Sequence, residues 1–249
     1  MEDVDLNIQE GIGFLVLNRG KVNALIGSLV EEIKNALVSF ESNPAINAVI
    51  LTGQGKFFCY GFDIPEFLSY TKAEFTDYLI SFTDLYTYLF TYPKPVVAAL
   101  NGHTFAGGCM LALACDHRVM VSEKAKISLN EISFGASVFA GSVEMLRYWV
   151  GSNKATKILY SGAMYSAKKA ESLGLVDEVT TKEDLIPTAT KKALALGRKH
   201  NLAFGSIKRL LRKPIEEEMK SKERESIVEC VDIWYSDFTR ENLKKIKIR

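Results

Sequence analysis

The chain has 249 residues, 47% hydrophobic and 24% charged, with 31 Lys and Arg against 30 Asp and Glu for a net charge of +1. That balance excludes a global field for nucleic acid or an anionic membrane, and the length allows a core that needs no disulfide staples. Cys59, Cys109, Cys115 and Cys230 form no CxxC pair and have no histidine at zinc-ligand spacing, so no metal is expected. Two of the four, Cys109 and Cys115, lie in apolar runs and read as buried, and such sparse thiols fit a reducing compartment. No apolar run is long enough to span a bilayer, and MEDVDLNIQE has neither a signal core nor a transit pattern. A cytoplasmic protein is expected.

Residues 11–18 (GIGFLVLN) are β-rich. Residues 28–41 place Leu29, Ile33, Leu37 and Phe40 at helical spacing behind a Ser28 cap. Residues 47–53 (NAVILTG) read as a buried strand ended by glycine. Residues 73–92 form a long aromatic helix whose stripe Phe75, Leu79, Phe82, Tyr86 and Leu89 reads as core or interface. A strand (KPVVAALNG), a helix (GGCMLALAC) and a strand (DHRVMVS) follow. Such alternation predicts an α/β fold with mostly parallel sheet. After about residue 182 the pattern is nearly all helical, with a soft boundary near 190. Residues 1–190 read as the core that holds the site. Residues 191–249 read as a helical region that packs on the core or on a neighbouring subunit. The basic runs Lys208-Arg209, Arg212-Lys213 and 244–249 read as solvated helix faces.

Four segments carry a resemblance: KFFCYGFDIPEF (56–67), KPVVAALNGHTFAGGCMLALACDHRV (94–119), ISLNEISFG (127–135) and SAKKAESLGLVDEV (166–179). Their order and spacing resemble those of the crotonase family of enoyl-CoA hydratases and isomerases, over nearly the whole chain from Val16 onward. The resemblance implies a crotonase-like spiral of ββα units with a C-terminal helical trimerisation region. It implies an acyl-CoA thioester substrate, no cofactor beyond coenzyme A as part of that substrate, and a homotrimer or hexamer.

A thioester α-proton can be removed only if the resulting enolate oxygen meets fixed donors. By resemblance these are the backbone N–H groups of Phe62 and Gly107. Gly61 permits a tight turn before Phe62. Gly107 and Gly108 leave room for the carbonyl at a helix N-terminus, whose partial positive charge helps. Hydratases of the family use two glutamates. Here the first position is Met110 and the second is Glu131, and the hydratase run that follows the second is replaced by SVFAGSVEMLRYW. One carboxylate suffices to shift a double bond from C3–C4 to C2–C3, since one base can take a proton from C2 and return it to C4. AGGCMLALACDHR and LNE are similar to the versions in delta(3)-delta(2)-enoyl-CoA isomerases, which act in fatty-acid oxidation. Glu131 is therefore expected as a lone proton shuttle with a raised pKa.

By the same resemblance, Val22 and Ala24 hold coenzyme A along their backbone with Tyr60, Gly61, Asp63 and Ile64. Gly108, Met110 and Asn130 complete the substrate site. Asp63 is expected to brace the donor loop by accepting backbone N–H bonds. Glu66 reads as within reach of the acyl pocket, and helix 73–92, with Phe67 and Tyr70, as its roof. His103 reads as structural or pocket-lining. His117 and His200 have no assigned role, and Ser137 and Ser142 lack the neighbours of a nucleophilic serine. Two alternatives stay open: a hydratase or other thioester enzyme with a relocated acid, and a non-catalytic acyl-CoA-binding subunit.

Overall fold

Three consecutive strand pairs shape the molecule. In a computed structural model that describes residues 3–247, a hairpin of β1 (Val4–Gln9) and β2 (Ile12–Leu17) leads into α1 (Gly27–Ser42). The first pair is β3 (Ala48–Gly53) and β4 (Phe57–Cys59), followed by α2 (Ile64–Phe67) and α3 (Lys72–Thr91). The second is β5 (Val96–Leu100) and β6 (His103–Phe105), followed by α4 (Gly107–Ala114). The third is β7 (His117–Val121) and β8 (Lys126–Ser128), followed by a 3-10 turn (Glu131–Phe134) and α5 (Ala140–Val150). Then come α6 (Ser152–Ser161), β9 (Tyr165–Ser166), α7 (Ala167–Leu173), β10 (Glu178–Thr180), α8 (Leu185–Gly197), α9 (Asn201–Trp234) and α10 (Asp237–Leu243).

Each pair splits between two sheets. The six-stranded sheet has the order β1-β2-β3-β5-β7-β10, and the four-stranded sheet has the order β4-β6-β8-β9. Within the large sheet every neighbour from β2 to β10 is parallel. Its inner strands AVILT and VVAAL are buried on both faces, which is why they read as unbroken apolar runs. In the small sheet β4, β6 and β8 are parallel, and β9 closes the edge antiparallel. Three windings of one ββα unit therefore lay three parallel strand ends side by side. This is the spiral expected from the family resemblance.

Several local readings change. Helix α1 starts at Gly27 with Ile26 before it and no side-chain cap, so Ser28 lies inside the helix and is not its cap. A capping box does exist at α3, where Thr71 and Glu74 bond reciprocally. Strand β1 adds to the elements read from the sequence: its residues alternate apolar and polar (Val4, Leu6, Ile8 against Asp5, Asn7, Gln9), although Val4 alone of them is buried. Position 190 falls within α8, which packs on β3, β5 and β7.

Lys208 and Arg212 are not on a solvated face: both are buried. Lys208 Nζ lies 2.8 Å from Asp116 and Arg212 Nη2 lies 3.0 Å from the same carboxylate. Arg212 also donates to the carbonyls of Ala114 and Cys115, at the C-terminal end of α4. Of the basic tail, Ile248 and Arg249 lie outside the described residues. No helix among the described residues is long and apolar enough to cross a membrane.

Candidate active site

The C-terminal ends of β4, β6 and β8 build the site. Three residues past β4 is Phe62, two past β6 is Gly107, and three past β8 is Glu131. Residues distant in sequence converge because parallel strands present all their C-terminal ends at one edge, where ligands bind in open α/β sheets.

Phe62 pairs with Leu25 in an isolated parallel bridge. In that bridge Leu25 N–H donates to the Gly61 carbonyl at 2.8 Å and Asp63 N–H donates to the Leu25 carbonyl at 3.0 Å. The flanking residues thus supply the bridge bonds, and the Phe62 N–H finds no acceptor among the described residues. Gly107 opens α4, so its N–H precedes the first intrahelical bond, which runs from Met110 N–H to the Ala106 carbonyl. It too finds no acceptor among the described residues.

The two loops touch. Gly61 has φ +98°, and a Cβ there would lie 2.9 Å from the Cβ of Ala106 and 3.3 Å from the Gly107 nitrogen. A Cβ on Gly108 would lie 2.5 Å from the Cys59 carbonyl oxygen. Both positions require glycine. Ala106, with φ 47° and ψ −119°, carries a strained backbone immediately before the Gly107 donor. Such a conformation costs of order 1–3 kcal/mol and persists only where the surrounding packing holds it.

Helix α4 is buried on every side. Its dipole therefore acts in a poorly screened setting, with the positive end at Gly107. Arg212 and Lys208 offset the negative end. Trp149 Nε1–H takes the Leu113 carbonyl at 2.7 Å.

A cavity of about 260 Å³ lies beside these donors. Of the residues expected at the site, Tyr60, Phe62, Ile64, Gly107, Asn130 and Glu131 line it. Glu131 is the only acidic residue that lines it among the described residues. The side chain is buried, and both of its oxygens lack a hydrogen-bond partner and are shut off from solvent. Burial pushes the carboxyl up to about 8. Beside it the Asn130 side-chain oxygen is also buried without a partner.

The remaining expected residues stand around the cavity but do not line it. Met110 is buried in α4 and packs into the core. Gly108 holds α4 against β4. Val22 and Ala24 brace the donor loop through their carbonyls, Val22 accepting from Tyr60 N–H at 3.0 Å and Ala24 from Arg19 Nη1 at 2.9 Å. Asp63 braces it by an ion pair with Arg19 at 2.8 Å and accepts no backbone N–H bond among the described residues. Glu66 lies off the cavity and accepts from the Tyr70 hydroxyl at 3.3 Å. Phe75 is the residue of α3 that reaches the cavity wall, while Phe67 and Tyr70 pack behind it and Phe62.

His103 is structural. Its Nδ1 accepts the Lys126 N–H at 3.2 Å, and its ring packs between Phe57 and Phe105. His117 lies beside Asp177 and Glu178, and His200 caps α9 by accepting the Ala203 N–H. Cys230, Trp234 and Ile246, from the C-terminal region, line the cavity together with Phe139 and Ser137. Helical periodicity marks such residues only as buried, so the sequence held no signal for their place. Burial lifts the Cys230 thiol to about 12, which leaves it without nucleophilic character near neutral pH.

The sequence model of the enoyl-CoA hydratase/isomerase family matches residues 7–242. The chain belongs to this family. Over 184 residues it is 38% identical to the mitochondrial enoyl-CoA hydratase of Pongo abelii, covering 73% of this chain and 62% of that protein's length. Over 204 residues it is 33% identical to the crotonyl-CoA hydratase of Syntrophomonas wolfei, covering 81% of this chain and 78% of that one. Human mitochondrial delta3-delta2-enoyl-CoA isomerase shares the fold with a TM-score of 0.90 at 23% identity, over 97% of this chain and 95% of that chain. What the site brings together is an unpartnered pair of backbone donors and a buried acidic side chain.

Proposed function

We propose that the chain is an enoyl-CoA isomerase of fatty-acid oxidation, converting a 3-enoyl-CoA into the trans-2-enoyl-CoA. The observation that carries this reading is Glu131, the single acidic residue that lines the cavity among the described residues, its carboxylate buried and without a partner. In the proposed reaction the thioester oxygen accepts from the Phe62 and Gly107 N–H groups. The Glu131 carboxylate takes a proton from C2, and the electrons of that C–H bond form the dienolate. The protonated acid then delivers the proton to C4, leaving the double bond at C2–C3. Each fixed donor is worth about 3 kcal/mol on the enolate. A base whose carboxyl sits near pH 8 is stronger than an ordinary glutamate, which suits abstraction from a weak carbon acid.

Hydration is the second reading, favoured by the names of the two relatives above. It requires a water molecule held and activated at the base, and an acid to protonate the α-carbon. Met110 can do neither, and the wall offers no second acidic residue among the described residues. Incubation of the purified protein with a 3-enoyl-CoA, following the conjugated thioester, tests the proposal. A rate unchanged in Glu131→Gln would sink it.

The substrate proposed is an acyl-CoA thioester, whose coenzyme A would run along the backbone of Val22, Ala24 and residues 60–64. A homotrimer or hexamer is also proposed. Ile207, Leu210 and Leu211, exposed apolar residues on one stretch of α9, support self-association. A cytoplasmic location is proposed from composition alone.

A further inference from the structure

The turn that carries Glu131 and the loop that carries the Phe62 donor belong to different windings of the spiral. Side chains from the end of the chain tie both to one element. On the base side, the 3-10 turn ends at Gly135, in the left-handed conformation with φ 83°. Gly135 N–H and Ala136 N–H return to the Glu131 carbonyl, which closes the turn on itself. The Gly135 carbonyl, directed outward, accepts the Thr239 hydroxyl of α10 at 2.7 Å. Thr239 is buried, and a Cβ on Gly135 would lie 2.8 Å from the ring of Phe238. The turn and α10 are therefore in direct contact.

On the donor side, Arg240 Nη2 donates to the Leu68 carbonyl at 3.0 Å, and the Tyr235 hydroxyl donates to the Tyr70 carbonyl at 2.5 Å. Leu68 caps α2, the short helix that begins two residues after Phe62. Arg240 also packs over the Tyr235 ring. Tyr235, Thr239 and Arg240 thus send three side-chain donors to three backbone carbonyls, one beside the base and two at the far end of α2, the helix that follows the donor loop.

We propose that residues 235–240 are a strap that sets the distance between Glu131 and the oxyanion donors, with Thr239 as the positioning residue for the base. This proposal rests on Glu131 being the base. Thr239 touches no reacting atom and acts through the Gly135 carbonyl. Proton transfer to and from carbon depends steeply on separation, and a displacement of about 1 Å can cost up to about a hundredfold in rate. Substrate affinity comes mainly from contacts along the coenzyme A and the cavity wall, which the strap does not supply.

The test compares Thr239→Val, which keeps the shape and removes the donor, with Thr239→Ser, which keeps the donor. Both are made in the wild-type protein and in the Glu131→Gln background. Isomerisation of a 3-enoyl-CoA is followed, with thermal melting as the control for folding. The strap predicts a kcat loss of about tenfold or more in the valine variant, KM within about twofold and recovery by serine. In the Glu131→Gln background the valine change is expected to cost nothing further. Wild-type kcat in the valine variant, or an equal loss in both backgrounds, would overturn the strap. Full activity in Glu131→Gln alone would overturn the base instead, so the two failures are distinguishable.

Discussion

Replacing Glu131 by Gln removes the proposed base and also relieves the fold of a buried charge. Burial raises this carboxyl from its ordinary 4.5 to about 8. Between those values the folded chain keeps a proton that the unfolded chain has already released. Stability therefore falls as the pH rises from about 4.5 to about 8, and at about 1.4 kcal/mol per pH unit the window amounts to up to roughly 5 kcal/mol. The glutamine variant has no such slope. Its amide and the protonated acid each lack a partner in this site, a cost of about 1–3 kcal/mol that both proteins share. The two are expected to be similar in stability near pH 5, and the variant more stable by about 3–5 kcal/mol near pH 8. Urea denaturation of both proteins near each pH, with matched m-values, measures the difference. A wild type equal to or more stable than the variant near pH 8 would refute the buried, unpartnered carboxylate.

Two further outcomes follow from the same geometry. The carboxylate is the active form of the base, so kcat/KM is expected to rise about tenfold per pH unit below about pH 7 and to level off above about pH 8; a profile flat from pH 6 upward would contradict it. Asp116→Asn leaves Lys208 and Arg212 buried without their counter-ion and is expected to cost about 3–5 kcal/mol in denaturation, where a loss below about 1 kcal/mol would show that the two cations are not held by Asp116.

The parts of the site legible in the sequence were those encoded within a few residues of one another. Gly61 and Gly108 are needed because a positive φ at the one and a carbonyl against the other leave no room for a side chain, and such needs appear as short fixed patterns. Glu131 stood out in an apolar context, and the missing acid at Met110 could be read by position. The ion pair that braces the donor loop could not, because Arg19 and Asp63 lie 44 positions apart and each alone is an ordinary surface charge. Lys208 and Arg212 read as solvated for the same reason, since the carboxylate that permits their burial is Asp116, 92 positions before Lys208. Cys230, Trp234 and Ile246 reach the cavity through the packing of the C-terminal helices, and a helical stripe marks only which face is buried. The strap residues Tyr235, Thr239 and Arg240 escaped notice because their partners are backbone carbonyls, which every residue has.

The most direct measurement supplies the purified protein with a 3-enoyl-CoA and, separately, with a 2-enoyl-CoA in water. The proposed mechanism predicts that the first becomes the conjugated 2-enoyl thioester at a rate that Glu131→Gln lowers by about a hundredfold or more, to a small but measurable residue, while the second is left essentially unhydrated. Hydration of the 2-enoyl thioester faster than isomerisation of the 3-enoyl thioester, or isomerisation in Glu131→Gln within about tenfold of wild type, would contradict a lone glutamate as the proton shuttle.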